Sequence, residues 1–192
     1  MIKATRRDKS QVITLLKDSF IDNRSVNYII KQHKHRERRI LALMDYSFEM
    51  CFRFGEVWVS EDRNAAALIL YPQRKHLSIF SVWLDIKLIF QAIGIANITR
   101  ALEREARIKA KQPKEPMTYL WFIGVDPSYQ HQGIGGRLLS DIISLSDEMN
   151  LPVHLETSTL KNLPWYERFG FHRYDQLEFD YTLYFFKREP DK

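Results

Sequence analysis

Val125-Asp126-Pro127-Ser128-Tyr129-Gln130-His131-Gln132-Gly133-Ile134-Gly135-Gly136-Arg137 is the stretch whose reading decides the fold. Before it, residues 119–125 are apolar and aromatic and pattern as a strand. After it, residues 137–149 pattern as a helix, with Leu138, Leu139, Ile142, Ile143 and Met149 on or near one face. The glycines let the backbone come close to a ligand, and the first N–H groups of a helix have no intrahelical acceptor. With the positive helix end beside them, those groups offer a seat for a pyrophosphate. No Gly-Lys-Ser/Thr follows, which excludes a P-loop, and Gly133, Gly135 and Gly136 do not make the G-x-G-x-x-G of a dinucleotide site. Taken alone, a glycine-rich helix start is equally a plain structural turn.

Upstream, residues 2–5 read as a short strand, and Asp8 with Gln11 as a capping box opening a helix whose buried face carries Val12, Leu15, Leu16, Ser19 and Phe20. A second helix is expected over residues 26–50. Strands at 55–60 and 65–71, separated by Glu61-Asp62-Arg63-Asn64, predict an antiparallel hairpin. Residues 77–111 read as a helical insertion with Gly94 at a break. Downstream come a strand at 153–157, a short helix around Trp165 and one strand within 177–186.

The chain has 192 residues, 45% hydrophobic and 28% charged, as expected of a single domain over residues 1–192 with an ordinary core. Cys51 is the only cysteine, so no intrachain disulfide forms and a reducing, cytoplasmic location is expected. The N-terminus lacks the apolar segment of a secretion signal. The longest uncharged run near the middle, residues 88–99, is short of the ~20 residues a spanning helix needs, so no membrane partner is expected. A net charge of +5 permits an anionic partner without choosing one. Lys31, Lys34, Arg36, Arg38 and Arg39 read as a solvated helix face, because no aromatic or glycine-rich pattern accompanies them, and nucleic acid is not expected as a partner.

Gln130-x-x-Gly133-x-Gly135 resembles the Arg/Gln-x-x-Gly-x-Gly/Ala signature with which the GNAT superfamily of N-acetyltransferases holds the coenzyme A pyrophosphate, and Ile123-Gly124-Val125-Asp126-Pro127 agrees with it. A second stretch, from Leu155-Glu156-Thr157 through Asn162 and Tyr166 to Gly170-Phe171, is similar to the family's closing strand, Asn, Tyr and Gly-Phe block. Its wording is nearest to small-molecule acetyltransferases of the puromycin N-acetyltransferase kind. The resemblance covers residues 119–171; elsewhere it is one of layout.

The resemblance implies an α/β (α+β) fold, with a mixed, mostly antiparallel sheet flanked by helices and central strands that splay apart. It implies acetyl-CoA as acyl donor, no metal, and a small-molecule amine as acceptor, with the protein a monomer or homodimer. A protein N-terminus or lysine is the alternative acceptor, and a non-catalytic CoA-binding or sensing module the alternative function. By position, Ile123 and Val125 would offer backbone contacts to pantetheine, with Gly124 marking a bulge or close approach. Gln130, Gln132, Gly133, Ile134, Gly135, Gly136 and Arg137 would surround the pyrophosphate, and Asn162 and Tyr166 would lie beside the pantetheine arm. A backbone N–H near Val125 would stabilise the oxyanion.

Tyr166 matches the family tyrosine that protonates the departing thiolate, and a phenol with an ordinary pKa of about 10 keeps its proton at neutral pH; aromatic packing is the other reading. Many relatives carry a general-base Glu on the strand before the loop, and residues 119–125 have none. Glu156 is the candidate base, a structural hydrogen-bond acceptor being its plain reading, and a water chain can serve instead. His131 reads as solvent-facing, Asp126 as a turn residue, Trp121 and Trp165 as core or pocket border. Phe80, Trp83 and Phe90 read either as lining an acceptor site or as a packed aromatic face. Cys51 is far from the motif, which speaks against a covalent enzyme intermediate.

Overall fold

The structure is a computed structural model that describes residues 1–32 and 34–191. From β1 (Ile2–Lys3) the chain passes through a 3-10 turn into α1 (Lys9–Ser19). Asp8 accepts from the Thr5 N–H at 2.7 Å and the Thr5 hydroxyl at 2.8 Å. The capping box is therefore opened by Thr5 and closed by Asp8, one turn earlier than the sequence pattern places it.

The helix expected over residues 26–50 is two, α2 (Arg24–Ile29) and α3 (Arg36–Phe54). Ile30 is extended and His35 left-handed at φ 71°, and neither conformation continues a helix. Arg36 braces the join by donating to Asn27 Oδ1 at 2.7 Å, and Arg39 by donating to the Lys31 carbonyl at 2.8 Å. Part of the basic cluster is thus local scaffolding in place of a solvated face.

β2 (Gly55–Val59) and β3 (Ala65–Leu70) form the expected hairpin. The insertion consists of α4 (Ile79–Leu88), a π turn at Ile89–Ile93, a break at Gly94 (φ 77°) and α5 (Ile98–Lys111). Then follow β4 (Thr118–Val125), α6 (Ile134–Glu148), β5 (Val153–Thr157), α7 (Leu163–Arg168), β6 (His172–Glu178) and β7 (Thr182–Arg188). Two strands stand where one was expected. Leu177 is the one buried residue of β6, so that strand shows no alternation of apolar and polar residues from which it is legible.

Among the described residues these seven strands form one sheet in the order β1-β2-β3-β4-β5-β7-β6. Every neighbouring pair is antiparallel except β4 and β5, which run parallel. Helices α1 and α3 cover one face, where Leu16, Met44, Phe48 and Phe122 are buried together. Helices α6 and α7 cover the other, over Leu139, Ile142, Val153 and Phe186. Each such side chain stabilises the fold by about 1.5–3 kcal/mol relative to exposure. β3 is buried along its whole length because both faces are covered. No single helix among the described residues is long and apolar enough to cross a membrane.

Candidate active site

The parallel pairing of β4 with β5 covers Thr118 with Val153 and Tyr119 with His154, and beyond those residues the strands part. The same stretch of β4 holds a bulge. Leu68 of β3 faces Phe122 while Ile69 faces Leu120, which leaves Trp121 as the extra residue. The bulge shifts the phase of the strand: Trp121 and Phe122 both pack on the α1/α3 side, and Leu120 and Ile123 on the α6 side.

Peptide directions follow from that phase. The Asp126 N–H donates to the Asn64 carbonyl at 2.8 Å, so it points toward β3. Alternation turns Gly124 the same way and Ile123 and Val125 the other, into the gap left by β5. The Val125 carbonyl is occupied, accepting from Ser19 Oγ at 2.7 Å and Gln130 Nε2 at 3.2 Å. With β5 turned away, the Ile123 peptide and the Val125 N–H have no strand to pair with. Gly124 is not the bulge; it is where α1 comes closest, since a Cβ there would lie 2.9 Å from Ser19 Oγ and 3.0 Å from Leu16 Cδ2.

Past β4 the loop is built by short-range bonds. Asp126 accepts from the Ser128 N–H at 2.8 Å, as a turn residue does, and His131 is exposed with φ 63°. Gly133, at φ 77°, starts α6. The first α6 bond runs from the Arg137 N–H to the Gly133 carbonyl at 3.0 Å, so the amides of Ile134, Gly135 and Gly136 precede it and have no acceptor among the described residues. The Ile134 side chain, in the first turn of α6, is buried in the core on that side of the sheet. A Cβ on Gly135 would stand 3.0 Å from Val125 Cγ2, and one on Gly136 3.3 Å from Phe169 Cζ, so close packing of α6 requires bare backbone here. Arg137 Nη1 reaches back to the Gln132 carbonyl at 3.4 Å.

The gap opens into a cavity of about 460 Å³ walled on one side by Ile123, Glu156, Asn162 and Tyr166. Val125 at the end of β4, and Gln130, Gln132, Gly133, Ile134, Gly135, Gly136 and Arg137 beyond it, are not part of this wall. Glu156 is engaged on both oxygens: Oε1 accepts from Gln112 Nε2 at 2.8 Å and Oε2 from the Tyr119 hydroxyl. Burial raises the Glu156 pKa above the ordinary carboxylate range in spite of these bonds, and pushes the Tyr119 phenol well up. The Tyr166 ring packs 4.8 Å from Trp165 and 5.8 Å from Phe171, centroid to centroid. Its hydroxyl makes no hydrogen bond among the described residues, and burial raises its pKa above the ordinary phenol value.

The insertion does wall the cavity, through Asp85, Leu88, Ile89 and Glu105, but not through Phe80, Trp83 or Phe90. Trp83 and Phe90 are exposed. Trp121 lines the cavity and Trp165 packs beneath α6. Sequence reasoning missed Tyr46, which donates to Asp85 Oδ1 at 2.7 Å, and Arg104, fixed by Tyr181 Oη at 2.9 Å and Ser25 Oγ at 2.7 Å. It also missed Gln112 and Tyr119. In the sequence Arg104 and Gln112 look like ordinary solvated helix positions, and Tyr46 and Tyr119 like ordinary aromatic packing. Among the described residues no group of His, Cys, Asp and Glu is placed to hold a metal ion. Cys51 is buried in α3 with its thiol pKa pushed well up by burial, away from the cavity wall.

Residues 80–173 match the family model described as an acetyltransferase (GNAT) domain. Residues 80–173 are thus a GNAT acetyltransferase domain. The matched part runs from within α4 to the start of β6 and so holds the glycine loop, β4, β5 and α7. An uncharacterized N-acetyltransferase of Schizosaccharomyces pombe is 38% identical over 61 residues, 32% of this chain and 25% of that protein. The match thus spans about a quarter of that relative's length. The crystal structure of a histone acetyltransferase HPA2 and related acetyltransferase from Corynebacterium glutamicum superposes with a TM-score of 0.71 at 17% identity, covering 100% of this chain and 96% of the other. Arylalkylamine N-acetyltransferase 2 of Aedes aegypti gives 0.68 at 12% identity, covering 99% and 98%. At these identities the two neighbours speak for the fold.

Proposed function

We propose that the chain transfers the acetyl group of acetyl-CoA directly to a primary amine of a small molecule. The observation that carries this reading is the parting of β4 from β5 beyond Tyr119, which turns the Ile123 peptide into a cavity also walled by Asn162, Glu156 and Tyr166, with the Val125 N–H facing the same gap just past the cavity wall. The unpaired amides of Ile134, Gly135 and Gly136 at the start of α6 fit a pyrophosphate. When bound, acetyl-CoA supplies the activated acyl group as a thioester.

The chain's own residues do the rest. The Ile123 peptide holds pantetheine by strand-like hydrogen bonds, with Asn162 beside the arm. Residues 132–137 surround the pyrophosphate, and Gln130, bonded to Val125, fixes the loop that presents them. The Val125 N–H faces the charge that develops on the carbonyl oxygen. Glu156, held by Gln112 and Tyr119, takes the proton released by the amine. Tyr166, its proton retained by burial, donates to the departing sulfur.

The Aedes neighbour is named for arylalkylamines and the Corynebacterium neighbour for histones, so names alone leave the acceptor open. A walled cavity of about 460 Å³ suits a small amine better than a protein segment. The test is thiol release from acetyl-CoA against aromatic amines, polyamines, amino acids and peptides, with calorimetric CoA binding alongside. Turnover with a small amine bears the proposal out, and turnover with peptides alone moves the acceptor to protein. CoA binding with no turnover favours a sensor, and no CoA binding overturns the reading.

A further inference from the structure

The outer face of α4 and the turn before it carry the two least covered large apolar side chains of the described residues, Leu77 and Ile79, together with three other exposed ones. Leu77 is 87% exposed, Ile79 92%, Trp83 54%, Ile86 48% and Phe90 69%. Positions 79, 83, 86 and 90 share one face of the α4 and π-turn segment, while Ser81 and Leu84 on the other face are buried. A contiguous apolar stripe of this kind marks a surface that meets something other than water.

Its rim is basic. Arg74 and Lys75 stand just ahead of Leu77, separated from it by His76, and the Arg53 guanidinium lies 5.1 Å from the Phe80 ring of α4. At the other end Phe90 shares a cleft with Arg38 and Arg39, two members of the basic cluster that the active site leaves unused. Arg38, Arg53, Arg74 and Lys75 form no ion pair among the described residues. Lys87, beside Trp83, is already paired with Asp45 at 2.8 Å.

We propose that this face lies on an anionic lipid surface, the stripe entering the headgroup boundary and the flanking arginines and lysine meeting lipid phosphates and carboxylates. An apolar helix face with Trp among its residues and unpaired cations at its edge matches that boundary in both polarity and charge. A second copy of the chain matches less well. A two-fold contact sets the same patch against itself, and would press one basic rim onto the other. The contact is superficial, because α4 has 10 residues, far short of a span. It does not depend on the acetyl-transfer reading.

The test is co-sedimentation of the full chain with phosphatidylcholine vesicles, with and without phosphatidylserine. The chain sediments with the phosphatidylserine vesicles, less as salt rises, and its tryptophan emission shifts to the blue. Ile79→Glu, on an exposed side chain, lowers the bound fraction by about tenfold or more, and so does the pair Arg74→Glu and Lys75→Glu, with circular dichroism unchanged in each. No sedimentation with either vesicle overturns the proposal, and equal sedimentation with both overturns its anionic part. A concentration-dependent dimer in lipid-free buffer that Ile79→Glu dissociates assigns the face to a second copy instead.

Discussion

Tyr119 of β4 donates its hydroxyl hydrogen to Glu156 Oε2 of β5, across the mouth where the two strands part. The bond ties the one carboxylate on the β5 side of the cavity to the strand that lacks one. Glu156 is a useful base when ionised, and burial raises its pKa, so activity should climb with pH through a value above the ordinary carboxylate range of about 4.3. Glu156→Gln should lower kcat/KM by about 100-fold and remove that acidic limb. A pH-rate profile of both forms decides it; an unchanged limb in the variant moves the proton to a water chain.

Tyr166→Phe keeps the ring among Trp165, Phe171 and Phe186 and removes the hydroxyl. CoA should bind with nearly the same affinity while kcat falls by about 10- to 100-fold. Burial raises the phenol pKa, so the wild-type profile should show no alkaline loss from this group at or below its ordinary value. Calorimetry and steady-state rates on the same preparation separate binding from chemistry, and an unchanged kcat leaves Tyr166 as packing.

Gly124→Ala places a methyl group 2.9 Å from Ser19 Oγ and 3.0 Å from Leu16 Cδ2, with α1 firmly packed behind them. The crowding should cost about 1–3 kcal/mol of stability, read by urea denaturation. Trimming the neighbour by Ser19→Ala forfeits its bond to the Val125 carbonyl but relieves the oxygen contact. The double variant should therefore be less destabilised than the two single losses added together; simple additivity would show that the contact is not shared.

His154 is buried in β5 with Nδ1 unpartnered among the described residues, and burial pushes its pKa down to about 4. The unfolded chain binds a proton near pH 6.5 and the folded one does not, so stability is full above that value and falls as pH drops toward about 4. The loss from this one group reaches up to about 3 kcal/mol. Thermal melting between pH 7.5 and 4.5 should show it, and His154→Leu should flatten that part of the curve. An equally steep curve in the variant assigns the effect to other groups.

The glycine loop and the start of α6 were legible in the sequence because what they need is local. A left-handed glycine, a missing side chain and three amides ahead of the first helical bond all follow from residues 133–137. The hairpin of β2 and β3 and the break at Gly94 were legible for the same reason. The split between α2 and α3 was not, since Arg36 and Arg39 are favourable helix residues whose bracing bonds go to carbonyls and amides outside their own turn.

The sequence by itself determined the strand–glycine loop–helix unit and, through its motifs, the superfamily; both are written in neighbouring residues whose backbone preferences act within a turn or two. Tertiary structure alone decided which peptides face the gap, because the phase of Ile123 and Val125 depends on where β3 forces the bulge at Trp121. It also gathered Gln112, Tyr119 and Glu156 into one hydrogen-bonded group from two strands and a helix end. And it turned Trp83 and Phe90 outward: α4 is apolar on both faces, so its sequence does not choose between them, and the face that buries Leu84 is fixed by contact with the rest of the core.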